Sequence, residues 1–397
     1  MTLSFPRPPI DSERSEALRI AFAERFGPGA PRAHFAPGRA NLMGAHLDYN
    51  GGPVMPMAVD RGTWVAVRRR TDRRVRMAST VEEGEVEWSL DALPDAPSGR
   101  WFDYPLGVLR AVLTRPGELP GLDVLFGGDL PIGAGLSSSA SICVGTAHAL
   151  TAAAGGELEP DEGVELALAA ERGFVGVQCG IMDPYAVAHS RPGHLLWLDC
   201  KDRSVDHVPL DATQVTVAVA DSLVRRELAQ GAFNERVAQC AEAFELLRLH
   251  VPAATCLRDV PLGVVRAHLS ELEPAVGRRA LHVAGEVART FEARDALVRG
   301  DVAAFGSAML ASHESLREQY EVSTDELDCL VDAAASVDGV LGSRLTGAGF
   351  GGCTVVLLRA GAEDDLRAAL EQRYAARFGR TPTVAFYRGD PGPRELD

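Results

Sequence analysis

Residues 129–143 read Asp-Leu-Pro-Ile-Gly-Ala-Gly-Leu-Ser-Ser-Ser-Ala-Ser-Ile-Cys, two spaced glycines followed by a run of serines. Upstream, Leu122 to Gly128 alternates apolar and small residues, as a strand does. Downstream, Ser139 to Ala154 is small, apolar and free of Gly and Pro until Gly155, as a buried helix is. Gly133 and Gly135 let the backbone approach a ligand closely. Leu136 leads into a helix start whose unpaired N–H groups carry the positive end of the helix dipole. The hydroxyls of Ser137, Ser138 and Ser139 can bond phosphate oxygens or a magnesium ion. The stretch reads as a phosphate cradle and points to a nucleotide-using enzyme. It is not a Walker A loop, which needs a lysine before its Ser/Thr, because the sole lysine is Lys201.

Gly/Ser-rich turns between strands and helices are common, so the reading leans on two further segments. Residues 37–52 read Pro-Gly-Arg-Ala-Asn-Leu-Met-Gly-Ala-His-Leu-Asp-Tyr-Asn-Gly-Gly, and residues 344–353 read Arg-Leu-Thr-Gly-Ala-Gly-Phe-Gly-Gly-Cys. In this order the three segments resemble the GHMP kinase superfamily, and the first resembles its galactokinase branch. Trp101-Phe-Asp-Tyr104, Gly180-Ile-Met-Asp183, and Ser312-His-Glu-Ser-Leu316 leading to Tyr320-Glu-Val-Ser323 extend the resemblance through most of the chain. It implies a two-domain α+β fold. The N-terminal domain (1–205) is expected to be ribosomal-protein-S5-domain-2-like and to hold the sugar motif and the ATP phosphate loop. The C-terminal domain (206–397) is expected to be ferredoxin-like, with the active site between the two.

Bulk properties agree with a globular enzyme. A chain of 397 residues is long enough for two or three domains, and 46% hydrophobic with 24% charged residues is ordinary for such a chain. No apolar run reaches membrane-spanning length, and the N-terminal segment lacks a signal peptide's apolar core. Seven cysteines without a C-x-x-C pair suggest reduced thiols in a cytoplasmic protein, and the ten histidines show no metal-ligand spacing. A net charge of −15 disfavours nucleic acid and anionic membranes as partners; the resemblance implies ATP and a monosaccharide instead, with the chain a monomer or homodimer.

Strands are expected at Thr63–Arg69, Val75–Ser79, Val86–Leu90, His194–Asp199, Val215–Ala220, Gly339–Arg344, Cys353–Leu358 and Thr383–Tyr387. Thr71-Asp-Arg-Arg74 reads as a solvated hairpin turn, and helical patterns occupy Gln230–His250 and Ala275–Arg299. Gly347-Ala-Gly-Phe-Gly-Gly352 formally matches a dinucleotide fingerprint, but a strand follows it where that fold needs a helix. It reads as a glycine loop (Gly347, Gly349, Gly351) between two strands, and in the resembled family such a loop packs against the phosphates.

Phosphoryl transfer requires a cradle, a metal ligand, a nucleophile activator and a cation. The resemblance assigns Mg2+ to Ser139 and Glu171. It assigns Asp183, expected in a turn because Pro184 follows it, to orienting or deprotonating the anomeric hydroxyl. Arg39 would lie beside Asp183, keeping it ionised and offsetting phosphoryl charge. His46, Asp48 and Gly180 would bind the sugar, Tyr49 and Asn50 would fix the turn, and Trp101 with Tyr104 would lie near the adenine.

Two departures bear on the sugar. Where the family has a glutamate before His46 this chain has Ala45, and where it has a sugar-reaching tyrosine it has Phe233. Losing one hydrogen bond to a sugar hydroxyl costs about 0.5–1.5 kcal/mol, which weakens galactose without abolishing it. The Ala-His form and Asp199-Cys-Lys201 resemble galacturonokinases, so galacturonate is favoured over galactose, with Arg225, Arg236 or His46 to pair its carboxylate. L-Arabinose, which lacks C6, is a further substrate, and a non-catalytic sugar sensor is the alternative from another class.

Overall fold

The computed structural model describes residues 11–131, 135–177, 179–224 and 229–396; Gly133 and Arg225 lie outside them. In chain order the strands are β1 (Arg32–Met43), β2 (Pro53–Arg69), β3 (Arg74–Ser79), β4 (Glu85–Ser89), β5 (Leu122–Gly128), β6 (His194–Asp199), β7 (Val205–Pro209), β8 (Val215–Asp221), β9 (Val340–Thr346), β10 (Cys353–Arg359), β11 (Thr383–Tyr387) and β12 (Arg394–Leu396). The helices are α1 (Asp11–Phe26), α2 (Asp103–Leu113), α3 (Ser138–Ala154), α4 (Pro160–Leu168), α5 (Met182–Ala188), α6 (Ala229–Leu247), α7 (Leu262–Ala267), α8 (Pro274–Val298), α9 (Val302–Ser315), α10 (Asp325–Ala335) and α11 (Glu363–Phe378).

Among the described residues the strands form two sheets. The larger runs β12-β1-β2-β5-β3-β4, with β6 joined to β2 and β7 to β6; the smaller runs β11-β8-β10-β9. The chain therefore changes sheet between Pro209 and Val215. The polar stretch after Asp199 is itself a strand, β7, paired antiparallel with β6. The 71–74 link does not close a hairpin. β5 inserts between β2 and β3, antiparallel to the first and parallel to the second. Local sequence carries no mark of a strand that arrives some 40 residues later.

Period-2 alternation sets what each sheet buries. Trp64 and Ala66 of β2 face α1, packing with Leu18, Phe22 and Phe35. Val65 and Val67, one residue out of phase, pack with Leu106, Leu109, Val144 and Ala147 of α2 and α3 on the opposite face. In the smaller sheet Val217, Val219, Val355 and Leu357 point toward Phe305 and Met309 of α9 and toward the larger sheet. Ala218, Ala220, Val356 and Leu358 meet α10 and α11. The α+β expectation holds: mostly antiparallel sheets with helices layered on their faces.

Where β1 crosses α3, His34 Nδ1 lies 3.1 Å from His148 Nδ1. Burial, aided by the neighbouring His148, pushes the His34 pKa down from 6.5 to about 3. Between those values the unfolded chain holds a proton that the folded chain does not. This contribution to stability is therefore complete above pH 6.5 and is lost as pH falls toward 3, by up to about 1.4 kcal/mol per pH unit. Urea unfolding at pH 7 and pH 5 should show this fall, and His34→Leu should lessen it, leaving the share that buried His46 and His282 contribute.

Candidate active site

β1 delivers Arg39 and Asn41 into the cleft between the sheets, and the chain then reverses through Gly44-Ala45-His46-Leu47. Gly44 has φ 82°, and a Cβ there would sit 2.3 Å from the Pro53 carbonyl oxygen, so only glycine fits. His46 is also left-handed, at φ 60°. Asn50 Nδ2 donates to the His46 carbonyl at 2.7 Å, which fixes the turn as expected of it.

Behind this turn stands a buried charge network that the sequence reading did not identify. Glu286 of α8, fully enclosed, accepts from the Gly44 and Ala45 N–H groups at 3.2 and 3.1 Å and from the Ser312 hydroxyl at 2.7 Å. Arg289 donates to it at 2.9 Å, and Arg344 of β9 lies 3.7 Å away. Burial raises the Glu286 pKa, but Arg289, His282 and Arg344 outweigh it and bring the group to about 2. His282 reaches the Ala45 carbonyl at 3.2 Å and the Ser315 hydroxyl at 2.8 Å. The 312–316 and 344–346 motifs carried this signal as part of the family resemblance, but Glu286 itself sits in an unremarkable Ala-Gly-Glu-Val.

The serine stretch meets this frame at Arg39, whose backbone N–H donates to Leu136 O at 3.0 Å. Ser137, at φ 55°, precedes the first residue of α3, leaving the first-turn N–H groups of the helix toward the cleft. Arg39 Nη1 donates to Gly135 O at 2.5 Å, and its Nε and Nη2 reach Asp183 Oδ1 at 2.8 and 2.7 Å. The Ser137 hydroxyl donates to the other Asp183 oxygen. Asp183 is not in a turn. It lies in the first turn of α5, where Pro184 fits because its missing N–H has no intrahelical partner to lose.

Glu171 sits on a π-helical turn, Ala169–Val175, that continues α4, with the Ser139 side chain near enough to draw its pKa down. Burial pushes its pKa up to about 7, with Asp183 adding to the shift. Asp48 rises to about 6, chiefly through burial and then through Asp183. A Cβ on Gly180 would lie 1.5 Å from Asp48 Oδ2, so Gly180 makes room for that carboxylate.

Three adjoining cavities meet at the serines. One, of about 410 Å³, lies between Gly135–Ser139 and Gly347–Gly352. The glycine loop does join two strands, and Gly349 and Gly351 are required by its own packing, since a Cβ on either would strike the carbonyls of Val322 or Val224. A second, apolar slot of about 250 Å³ is walled by Val81, Trp101, Tyr104, Phe126, Leu130 and Ile142, with the Trp101 indole N–H donating to Glu83 O at 3.3 Å. The third, of about 400 Å³, is lined by Arg39, Asn41, Ala45, His46, Asp48, Glu171, Asp183 and Phe233. Phe233 of α6 packs on His46 and Tyr49, and the Tyr49 hydroxyl bonds His46 Nδ1 at 2.8 Å and the Tyr320 hydroxyl at 2.7 Å.

Of the cations expected for a C6 carboxylate, Arg225 lies outside the described residues, Arg236 does not line this third cavity, and His46 lines it as a neutral ring. Arg236 is spent on the carbonyls of Tyr320 and Glu321, at 2.8 and 3.0 Å. Burial, then His282 and Arg344, hold the His46 pKa at about 3, so its ring is neutral. Asp199 and Lys201 are bound to Arg258 and Asp259, outside the cavity. Removing Glu286 would leave Arg344 and Arg289 uncompensated behind the turn. Glu286→Ala should cost about 3–5 kcal/mol in denaturant unfolding.

Comparison with known proteins places this geometry. The galactokinase galactose-binding signature matches residues 20–69, and the GHMP kinase N-terminal and C-terminal domain models match 103–191 and 293–376. The galactokinase of Roseiflexus sp. (strain RS-1) is 42% identical over 94% of this chain and 95% of its own length. That of Homo sapiens is 39% identical over 96% of each. The crystal structure of Lactococcus lactis galactokinase complexed with galactose superposes with a TM-score of 0.91 at 31% identity, covering 96% of this chain and 99% of that one. A Methanococcus jannaschii mevalonate kinase shares the fold alone, at TM-score 0.65 and 19% identity. The chain belongs to the galactokinase family and has the two-domain GHMP kinase fold.

Proposed function

We propose that the chain transfers the γ-phosphoryl group of ATP to the anomeric hydroxyl of D-galactose. The observation that carries this reading is the third cavity. Two of the residues lining it, Asn41 and His46, each carry a buried polar atom, Oδ1 and Nε2, with no partner among the described residues. Beside them stand Asp48 and Asp183. Unpaired buried polar atoms are costly, so the cavity suits a ligand covered in hydroxyls. Its carboxylates Asp48, Glu171 and Asp183 outnumber Arg39, its one described guanidinium. That field repels a uronate, which is why a neutral galactose displaces galacturonate as the favoured substrate, in line with the galactokinases to which the chain is similar.

In this reading the apolar slot at Trp101 takes the adenine, and the cradle of Gly135 to Ser139 with the glycine loop takes the phosphates. The expected division into 1–205 and 206–397 cuts through β7, so in this reading the first part runs on to Pro209 and regains β12, and the second holds the smaller sheet. Ser139 and Glu171 would hold Mg2+: two hard oxygen donors suit the ion, and a buried carboxylate with its pKa pushed up to about 7 fits a missing counter-cation. When bound, the ion draws negative charge from the phosphate oxygens. Asp183, oriented by Arg39, accepts the proton of the sugar hydroxyl, which takes the place of Ser137 on the second carboxylate oxygen. Arg39 then faces the charge that develops in transfer.

ADP release measured with galactose, galacturonate and L-arabinose should give the highest kcat/KM with galactose; galacturonate in first place, or no sugar-dependent turnover, overturns the proposal. Asp183→Asn should lower kcat by about two to four orders of magnitude with ATP binding retained. Ala45→Glu should raise the preference for galactose over L-arabinose by about three- to tenfold, the worth of one added hydrogen bond to the C6 hydroxyl.

A further inference from the structure

On the face of the molecule beyond α6, two imidazoles and one carboxylate converge. His250 follows the end of α6, His268 closes α7, and Glu271 lies in the single 3-10 turn Leu269–Glu271 that comes next. The two rings stack with centroids 3.5 Å apart and planes 17° apart. His250 Nε2 lies 2.8 Å from one Glu271 oxygen, and His268 Nδ1 lies 2.8 Å from the other. One donor atom from each residue falls within 4.8 Å of the others. Leu247, Val265 and Leu272, all buried, anchor the three donor-bearing segments from beneath.

Surface ion pairs of this kind contribute little on their own, and stacked rings at 3.5 Å repel one another if both carry a proton. One divalent cation relieves that conflict. It takes a lone pair from each neutral ring, and its charge answers the carboxylate between them. We propose that His250, His268 and Glu271 form a zinc-type site for a borderline divalent transition-metal ion, with water completing a tetrahedral shell. Two histidines and a glutamate are a ligand set that zinc accepts. To reach a common ion at about 2.0–2.2 Å the two rings must turn out of their stack, so that both in-plane lone pairs converge on it, and the nitrogens must withdraw from the Glu271 oxygens. His250 and Glu271 are exposed and His268 is half-buried, so the rings have room for that movement.

The site is distant in role from the magnesium that phosphoryl transfer uses. Its effect is to clip the end of α6 to the turn after α7. Between those points the chain holds Arg258, which donates to Gly51 O at 3.2 Å, and Asp259, which binds Lys201. The clip would therefore stiffen the segment that supports the outer side of the 44–51 turn.

The test uses the full chain stripped with EDTA and titrated with zinc sulfate by calorimetry. One micromolar site is expected, with a rise in Tm at 100-fold excess over Kd equivalent to about 2.7 kcal/mol. The double variant His250→Ala/His268→Ala should bind at least thirtyfold more weakly while keeping the parent's Tm in EDTA and its kinase activity. Cobalt(II) should bind the parent without a thiolate charge-transfer band. The proposal is overturned if the parent binds no ion tighter than millimolar. It is equally overturned if the double variant binds zinc as tightly, or if a thiolate band appears, either of which would assign the ion to the cysteines.

Discussion

The Glu286 carboxylate gathers five groups from four elements onto two oxygens. Backbone N–H groups come from the turn after β1, a hydroxyl from α9, one guanidinium from its own helix and another from β9. Taking a carboxylate and a guanidinium out of water costs several kcal/mol per ion, and attraction repays that only where every lone pair is met. Here the two oxygens are met by donors from both sheets' surroundings at once. The strained turn that presents Ala45 and His46 is thus held from behind by charge rather than by its own sequence. Arg344 keeps its charge in full enclosure, with its pKa brought down only to about 10. The position of the 44–47 turn and the docking of the smaller sheet are consequently one interaction seen from two sides.

The cleft in front of that network is organised by a second shared atom set. Arg39 touches the serine stretch through Gly135 and α5 through Asp183, so one guanidinium positions the start of α3 and the start of α5 together. Gly38 before it has no room for a Cβ, which would meet Leu136 O at 2.7 Å. The Gly-Arg pair is therefore a packing requirement and an electrostatic one in adjacent residues. Ser137 adds the third constraint, with left-handed backbone and a hydroxyl turned onto Asp183 rather than onto the helix start.

Much of this was legible in the chain. β5 and α3 flank the serine stretch within one residue of their expected bounds because each is a single periodic pattern with a glycine stop. β2 was read at half its length. Pro53, Pro56 and Gly62 look like breakers, yet Pro56 pairs opposite Asn41 beside a bulge, and Gly62 is there because Ala36 O fills its Cβ position. The site residues quoted from the three motifs do gather in one cleft, since motif order encodes which loops meet. Glu286, His282 and Tyr320 were invisible as a group, because their chemistry exists only once α8, the 316–320 turn and β1 are packed together. The preference for a uronate counted the carboxylate lost at Ala45 but not the carboxylates that remain around it, which only the packed cavity brings together.

β12 pairs with β1 at Ala33, His34 and Phe35, and Arg394 stacks on Phe35 while its guanidinium grips Asp11 and Asp390. The larger sheet is thus finished at one edge by residues made about 350 positions after its first strand. During synthesis, β1 must wait with that edge open while the whole smaller sheet emerges and folds. The last strand then acts as a latch, and the smaller lobe behaves as an insert within the larger rather than as an appended module.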